Sequence, residues 1–308
     1  MIQNLPTRAI ALKLTAVFLF MVMGAMVKVV VADVPAGQAV FYRSLFALPI
    51  IIGWLWRRGE LQTGLKTVRP IGHVWRGLFG TSAMALTFAG LGLLPLPEVT
   101  AIGYATPIFT VLLAALFLGE RIRLVRLSAV ALGLVGVMVV VWPRLGGVED
   151  WTQGAALGAV MILTASTLRA LVQIHIRRLV QTESTASIVF YFSVTATLMS
   201  LLTLPFGWVW PSLAVTALMI GSGLLGGVAQ ILMTASYRYG AASMLAPFDY
   251  ASLIFAAVIG YVVFGEVVTG TMIVGAGLVV AGGALIIWRE RNLGLENRRA
   301  RQLTDRKF

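Results

Sequence analysis

The chain has 308 residues, a mean hydropathy of +0.91, 59% hydrophobic residues and only 12% charged ones. A soluble domain carries roughly 25% charged residues, so these values exclude one. The absence of cysteine removes disulfide and thiol chemistry. The net charge of +12 is no nucleic-acid signal, because the charges sit between apolar runs and on the tail.

About 20 apolar residues span a bilayer, and ten such runs fit: 10–31, 36–56, 76–94, 97–118, 124–142, 154–175, 185–205, 212–234, 241–264 and 270–288. The first is long and followed at once by others, so it reads as a retained helix and not a signal peptide. Helix one carries Lys28 near its outer end, and helix two Phe41, Tyr42, Arg43 and Pro49. Helix four carries Tyr104 and Pro107 and ends on Gly119-Glu120. Helix six places Arg169 and Gln173 on one face at i, i+4. Helix seven brings Phe190, Tyr191 and Pro205, and helix nine brings Pro247, Phe248, Asp249 and Tyr250 before Gly265-Glu266. Gly154-x3-Gly158, Gly223-x3-Gly227 and Ser222-x3-Gly226 are suited to close helix contacts.

The chain repeats itself. Tyr104 and Ala105 recur as Tyr250 and Ala251 at an offset of 146, which also superposes Gly119-Glu120 on Gly265-Glu266, Gly136 on Gly282 and Trp142 on Trp288. Val40-Phe41-Tyr42 recurs as Val189-Phe190-Tyr191 at an offset of 149. Two homologous halves in a hydrophobic chain point to a transporter with its substrate between the repeats. The expected division is a first repeat over 1–142, an outer linker over 143–152, a second repeat over 153–288 and a basic cytoplasmic tail over 289–308.

With both termini cytoplasmic, Arg8, Lys13, Arg57, Arg58, Lys66, Arg69, Arg76, Arg121, Arg123, Arg126, Arg177, Arg178, Arg238 and seven tail residues all flank inner helix ends. Of the 24 Lys and Arg, only Arg144 falls outside, while Lys28, Arg43 and Arg169 lie within helices. The positive-inside rule therefore orients the chain N-in and C-in. Five helices per half is odd, so the second repeat is inverted. The expected fold is all-α, ten transmembrane helices as two inverted five-helix repeats, multi-pass in the cytoplasmic (inner) membrane. With both repeats in one chain, a monomer can form the whole unit. The bilayer is the surrounding partner, and the basic tail suits anionic lipid.

Ten helices, two five-helix halves and a Gly-Glu ending each half's fourth helix resemble the drug/metabolite transporter superfamily, with EamA-type repeats over about 10–288. The resemblance implies movement of small metabolites, often export of amino acids, and is similar to the aromatic amino-acid exporter branch. One departure is that Leu253 stands opposite Pro107, with Pro247 six residues earlier.

Asp249 suits a substrate ammonium or a proton, or else a structural pair with a basic residue or helix-end amides; a mid-membrane carboxylate costs roughly 2.5–3.5 kcal/mol. Tyr104 and Tyr250 offer ring and hydroxyl to a substrate, or ordinary packing. Phe248 neighbours Asp249 but points elsewhere on a helix. Arg43 is a fork for a carboxylate, or snorkels, or pairs with Glu98 or Asp33. Arg169 and Gln173 are cavity candidates, and Tyr42 and Tyr191 can form mirrored aromatic walls. Lys28 reads as snorkelling to the outer headgroups. Glu120 and Glu266 read as helix-end, gate-hinge or capping groups, and Pro107 and Pro247 as kinks.

The expected function is secondary export of amino acids, aromatic and other neutral ones, and related metabolites by alternating access through a central cavity. A multidrug or cationic-compound exporter, or a passive channel-like facilitator, is the alternative. A nucleotide sugar or phosphate needs clustered mid-membrane Arg and Lys, which the sequence lacks on this reading. An enzyme is not expected: His73 and His175 are the only histidines and form no H-x-x-x-H pair. Gly221-Ser222-Gly223 has no histidine placed to activate it. No Walker motif is present, and neither cofactor nor metal is implied.

Overall fold

The computed structural model describes residues 6–118, 124–145, 154–179, 182–239, 245–285 and 288. Glu120, most of the expected outer linker and the basic tail lie outside the described residues. The helices are α1 (Pro6–Val30), α2 (Ala36–Leu45), α3 (Ala47–Arg57), α4 (Leu61–Gly64), α5 (Pro70–Leu93), α6 (Leu96–Gly103), α7 (Ala105–Leu118) and α8 (Leu124–Leu145) in the first half. The second half gives α9 (Ala155–Leu179), α10 (Thr185–Leu201), α11 (Leu213–Tyr239), α12 (Ala251–Phe264) and α13 (Gly270–Leu285). Helices satisfy their own backbone groups, which a bilayer demands. Large apolar side chains such as Trp56, Leu116, Trp142 and Val262 cover the outside.

Among the described residues, four of the expected spans depart from uninterrupted helix, each beside a proline; in the seventh, α10 stops at Leu201 and a 3-10 turn, Leu204–Phe206, holds Pro205. The second breaks at Phe46 (φ −78°, ψ −6°) into α2 and α3, because Pro49 has no N–H for the carbonyl of Leu45. The fourth breaks at Tyr104 into α6 and α7. Pro107 cannot donate to Gly103, whose carbonyl accepts from the Thr106 hydroxyl instead at 2.8 Å. In the ninth, Ala246–Tyr250 form a 3-10 turn ahead of α12, and Asp249 lies in that turn and not in regular α-helix. A further correction concerns the third span. It starts at Pro70, a residue pre-set for the first helical position, so Arg76 stands inside α5 and not on a flank.

The broadest pairings join the two halves: α1 with α11, α5 with α9, and α10 with both α5 and α2. Close approach depends on small residues, as expected of the glycine pairs. A Cβ on Gly136 of α8 would sit 2.6 Å from the carbonyl oxygen of Gly275 on α13. One on Gly223 would sit 2.6 Å from Cβ of Phe46, so α11 lies against the break between α2 and α3.

Contacts sort the helix ends into two faces. One gathers the starts of α1, α5 and α10 with the ends of α3, α9 and α11, where Arg8 lies 4.5 Å over Tyr239 and His175 Nε2 is 2.9 Å from the Gly72 carbonyl. The other gathers the ends of α1, α5 and α12 with the starts of α2, α6 and α11, where Gln38 Nε2 donates to the Val209 carbonyl at 2.9 Å.

Candidate functional site

A cavity of about 890 Å³ lies between helices of both halves. Among the described residues, its walls carry four basic side chains, Lys13, Arg43, Arg76 and Arg169, and one acidic side chain, Asp249. Lys13 of α1 pairs with Asp249 Oδ1 at 2.7 Å and also reaches Met233 Sδ at 3.1 Å. The phenol of Tyr104 donates to the backbone carbonyl of Asp249 and shares a 2.6 Å hydrogen bond with Ser252 Oγ. Its ring lies 5.0 Å from that of Tyr250, so the two positions that match across the internal repeat touch.

Each guanidinium rests against a glycine, where a larger side chain would fill its space. Arg169 lies beside Gly103, and its Nη atoms donate to Thr87 at 3.2 Å and Ser166 at 2.9 Å. Arg76 folds over Gly80, one turn ahead, and sits 3.9 Å above the Phe192 ring. Arg43 is buried beside Gly226. The Nε atoms of Arg43 and Arg76 are buried with no hydrogen-bond partner. Met21, Met23, Met84 and Met233 fill apolar stretches of the wall, and such side chains adapt to varied shapes.

Residues 7–142 and 156–288 both match the EamA-like transporter family. The chain belongs to that family. This EamA protein is 27% identical over 258 residues to a pseudopaline exporter of Pseudomonas aeruginosa, covering 83% of this chain and 88% of the relative. It is 27% identical over 220 residues to an S-adenosylmethionine uptake transporter of Rickettsia bellii, covering 71% and 72%. It is 29% identical over 216 residues to a riboflavin transporter of Rhizobium johnstonii, covering 70% and 68%. A crystal structure sharing 21% identity superposes with a TM-score of 0.64 over 93% of this chain and 99% of that one, a likeness of fold. The EamA protein is therefore a small-molecule transporter of the multi-pass inner membrane, and these relatives do not single out the aromatic amino-acid branch.

Of the residues expected at the site of this EamA transporter, Asp249, Tyr250, Tyr104, Arg43, Arg169, Gln173 and Pro107 line the cavity. Three do not. Tyr42 turns about a third of a helical turn away from Arg43 and stacks on Phe46 at 6.0 Å. Tyr191 points to the end face, where its hydroxyl donates to the Leu65 carbonyl at 2.9 Å and its ring lies 4.7 Å from His73. Phe248 is half-buried outside the lining. Pro247 belongs to the 3-10 turn that carries Asp249.

Lys13 and Arg76, both assigned to inner flanks by sequence, instead line the cavity, which therefore holds more cations than the sequence reading placed near the site. Two signals could have found them. Lys13 already lay inside the first apolar run, and Pro70 marks a helix start one and a half turns before Arg76.

Gly265 adopts φ 66° and stops α12, and the Glu266 amide folds back on the Gly260 carbonyl at 3.0 Å. Glu266 Oε2 then accepts from the Leu96 amide at 2.9 Å, capping α6, and Oε1 pairs with Lys28 at 2.8 Å. Lys28 also donates to the Leu94 carbonyl at 2.6 Å, so it is anchored in protein and does not snorkel. At the opposite face Glu183 gathers the amides of Val68 and Arg69, at 2.8 and 2.7 Å, and the Thr67 hydroxyl at 2.9 Å. Burial pushes its carboxyl up, but these donors and His73 outweigh burial and hold it down at about 2.

Proposed function

We propose that this EamA transporter is a secondary carrier that exports amino acids and related small metabolites by alternating access. The carrying observation is one cavity walled by both halves, in which the repeat-related Tyr104 and Tyr250 meet. Two inverted five-helix repeats, with both termini cytoplasmic, fit the contacts. Shifting α1 and α11 by the repeat offset exchanges them with α9 and α5, and both pairs are in extensive contact. The face that gathers Arg8, Arg57, Arg58, Lys66 and Arg69 is the cytoplasmic one by the positive-inside rule.

In this reading a substrate carboxylate binds the guanidiniums, whose planar forks match it. Its side chain lies against Tyr104, Tyr250 and Phe192. Asp249, held by Lys13, is shared with the substrate ammonium. Rocking of the halves exposes the cavity to one side and then the other. A cationic drug is disfavoured, since four basic groups face one carboxylate. The relatives named above carry chemically different solutes, so the substrate is argued from the cavity alone.

Uptake of labelled phenylalanine, leucine and glutamate into proteoliposomes, with counterflow, tests the reading. Saturable counterflow of at least one of them supports an amino-acid carrier. Non-saturable flux without counterflow contradicts a carrier, and counterflow of other metabolites only contradicts the substrate.

A further inference from the structure

We propose that the substrate is a small organic polyanion whose oxyanions, carboxylate or phosphate, are shared among Arg43, Arg76 and Arg169. The inference rests on the carrier reading and replaces its amino-acid substrate with an anionic one. Among the described residues, the cavity walls carry four cations and one anion, and that anion is already bound to one of the cations. Among the described residues, no ion pair joins a carboxylate to Arg43, Arg76 or Arg169. Arg169 has two hydroxyl acceptors, which are neutral. Arg76 has an aromatic face, and Nε of both Arg43 and Arg76 is buried without an acceptor.

Burying a guanidinium away from water is unfavourable unless an anion or hydrogen-bond acceptors replace the lost hydration. Three of them at one cavity also repel one another, which a single carboxylate would offset only in part. A zwitterion adds one negative and one positive charge and leaves the imbalance unchanged. A solute bearing two or more oxyanions reduces it. The arginines come from α2, α5 and α9, so one such solute would bridge three helices and both halves. The glycines beside the guanidiniums leave room for them to swing toward a ligand. The methionine and aromatic stretches would hold its carbon skeleton.

The test uses the full chain, purified and reconstituted, with succinate, glycerol 3-phosphate, phenylalanine and tetraphenylphosphonium as probes. Binding is read by calorimetry and flux by counterflow. Succinate or glycerol 3-phosphate is expected to bind at least tenfold tighter than phenylalanine, with affinity falling as salt rises. Whichever of the two binds better identifies the oxyanion. Arg43→Gln and Arg76→Gln are each expected to weaken anion binding tenfold or more. Arg76→Lys, which keeps the charge, is expected to retain part of it and guards against misfolding of the neutral variants. Phenylalanine binding as tightly as both anions overturns the inference, and its counterflow would leave the carrier reading standing. Anions bound but not moved would overturn the inference, because a ligand that is not carried is not the substrate. Binding of none of the probes, or of the cation alone, overturns the inference.

Discussion

Two ion pairs fasten α1 to the segment around α12, one at each end, and they differ in how far each is satisfied. Lys13 meets Asp249 at 2.7 Å and Lys28 meets Glu266 at 2.8 Å. The lysines are 15 residues apart and the carboxylates 17, roughly 22–25 Å along parallel helices. At the Glu266 end both partners are largely buried, and each has further backbone contacts, to Leu94 and Leu96. At the Asp249 end the lysine side chain is 1% exposed but the aspartate is 40% exposed, open to the cavity. The same chemistry thus forms a closed pair in one place and a half-open one, facing the cavity, in the other. What decides the difference is whether the carboxylate still has room for another partner.

Breaking the closed pair should have the largest effect. Glu266→Ala leaves Lys28 unpaired and α6 uncapped, and truncating one member of a buried pair costs about 3–5 kcal/mol. Thermal unfolding in detergent should show a drop of many degrees, and little folded protein should reach the membrane. A melting temperature near that of the parent would remove the closed pair from the comparison.

Asp249→Asn should act on transport more than on the fold. Counterflow is expected to fall at least tenfold while the melting temperature shifts only slightly. A large loss of stability with normal flux per folded molecule would reverse the roles of the two pairs.

Glu183 sharpens the comparison as a third carboxylate, satisfied by amides and not by lysine. Its folded carboxyl titrates at about 2 against an ordinary 4.5, so it favours the folded state fully above pH 4.5. That contribution fades as pH falls from 4.5 towards 2. Glu183→Gln should cost about 1–3 kcal/mol at neutral pH and flatten the pH dependence of melting in that window. An unchanged acid limb would contradict the assignment.

The smallest effect is expected at the end face, where Tyr191→Phe removes one hydrogen bond to Leu65, worth about 1 kcal/mol. Flux should be unchanged, because Tyr191 is absent from the cavity wall.

The apolar runs, the repeat and the positive-inside bias were legible in sequence because each is a property of one segment or of two aligned ones. The Gly-Glu stop was legible as a motif, but its partners were not, since Glu266 reaches Lys28 and Leu96 across the fold. Asp249, Arg43 and Arg169 stood out as charges in apolar surroundings. Lys13 and Arg76 did not, because a cation near a helix end reads the same whether it faces headgroups or a cavity. Tyr42 and Tyr191 misled for a related reason, as recurrence in both halves marks homology and not cavity lining.

The most direct test of the central claim exploits the absence of cysteine from the chain. Single cysteines at Met84 and Val172, in the cavity wall, and at Tyr191, outside it, would be challenged with a membrane-impermeant thiol reagent from each side of the membrane. The account predicts that Met84→Cys and Val172→Cys are labelled from both sides in turn and protected by transported solute, while Tyr191→Cys is not protected. Labelling of the cavity positions from one side only, unaffected by any transported solute, would contradict alternating access through this cavity.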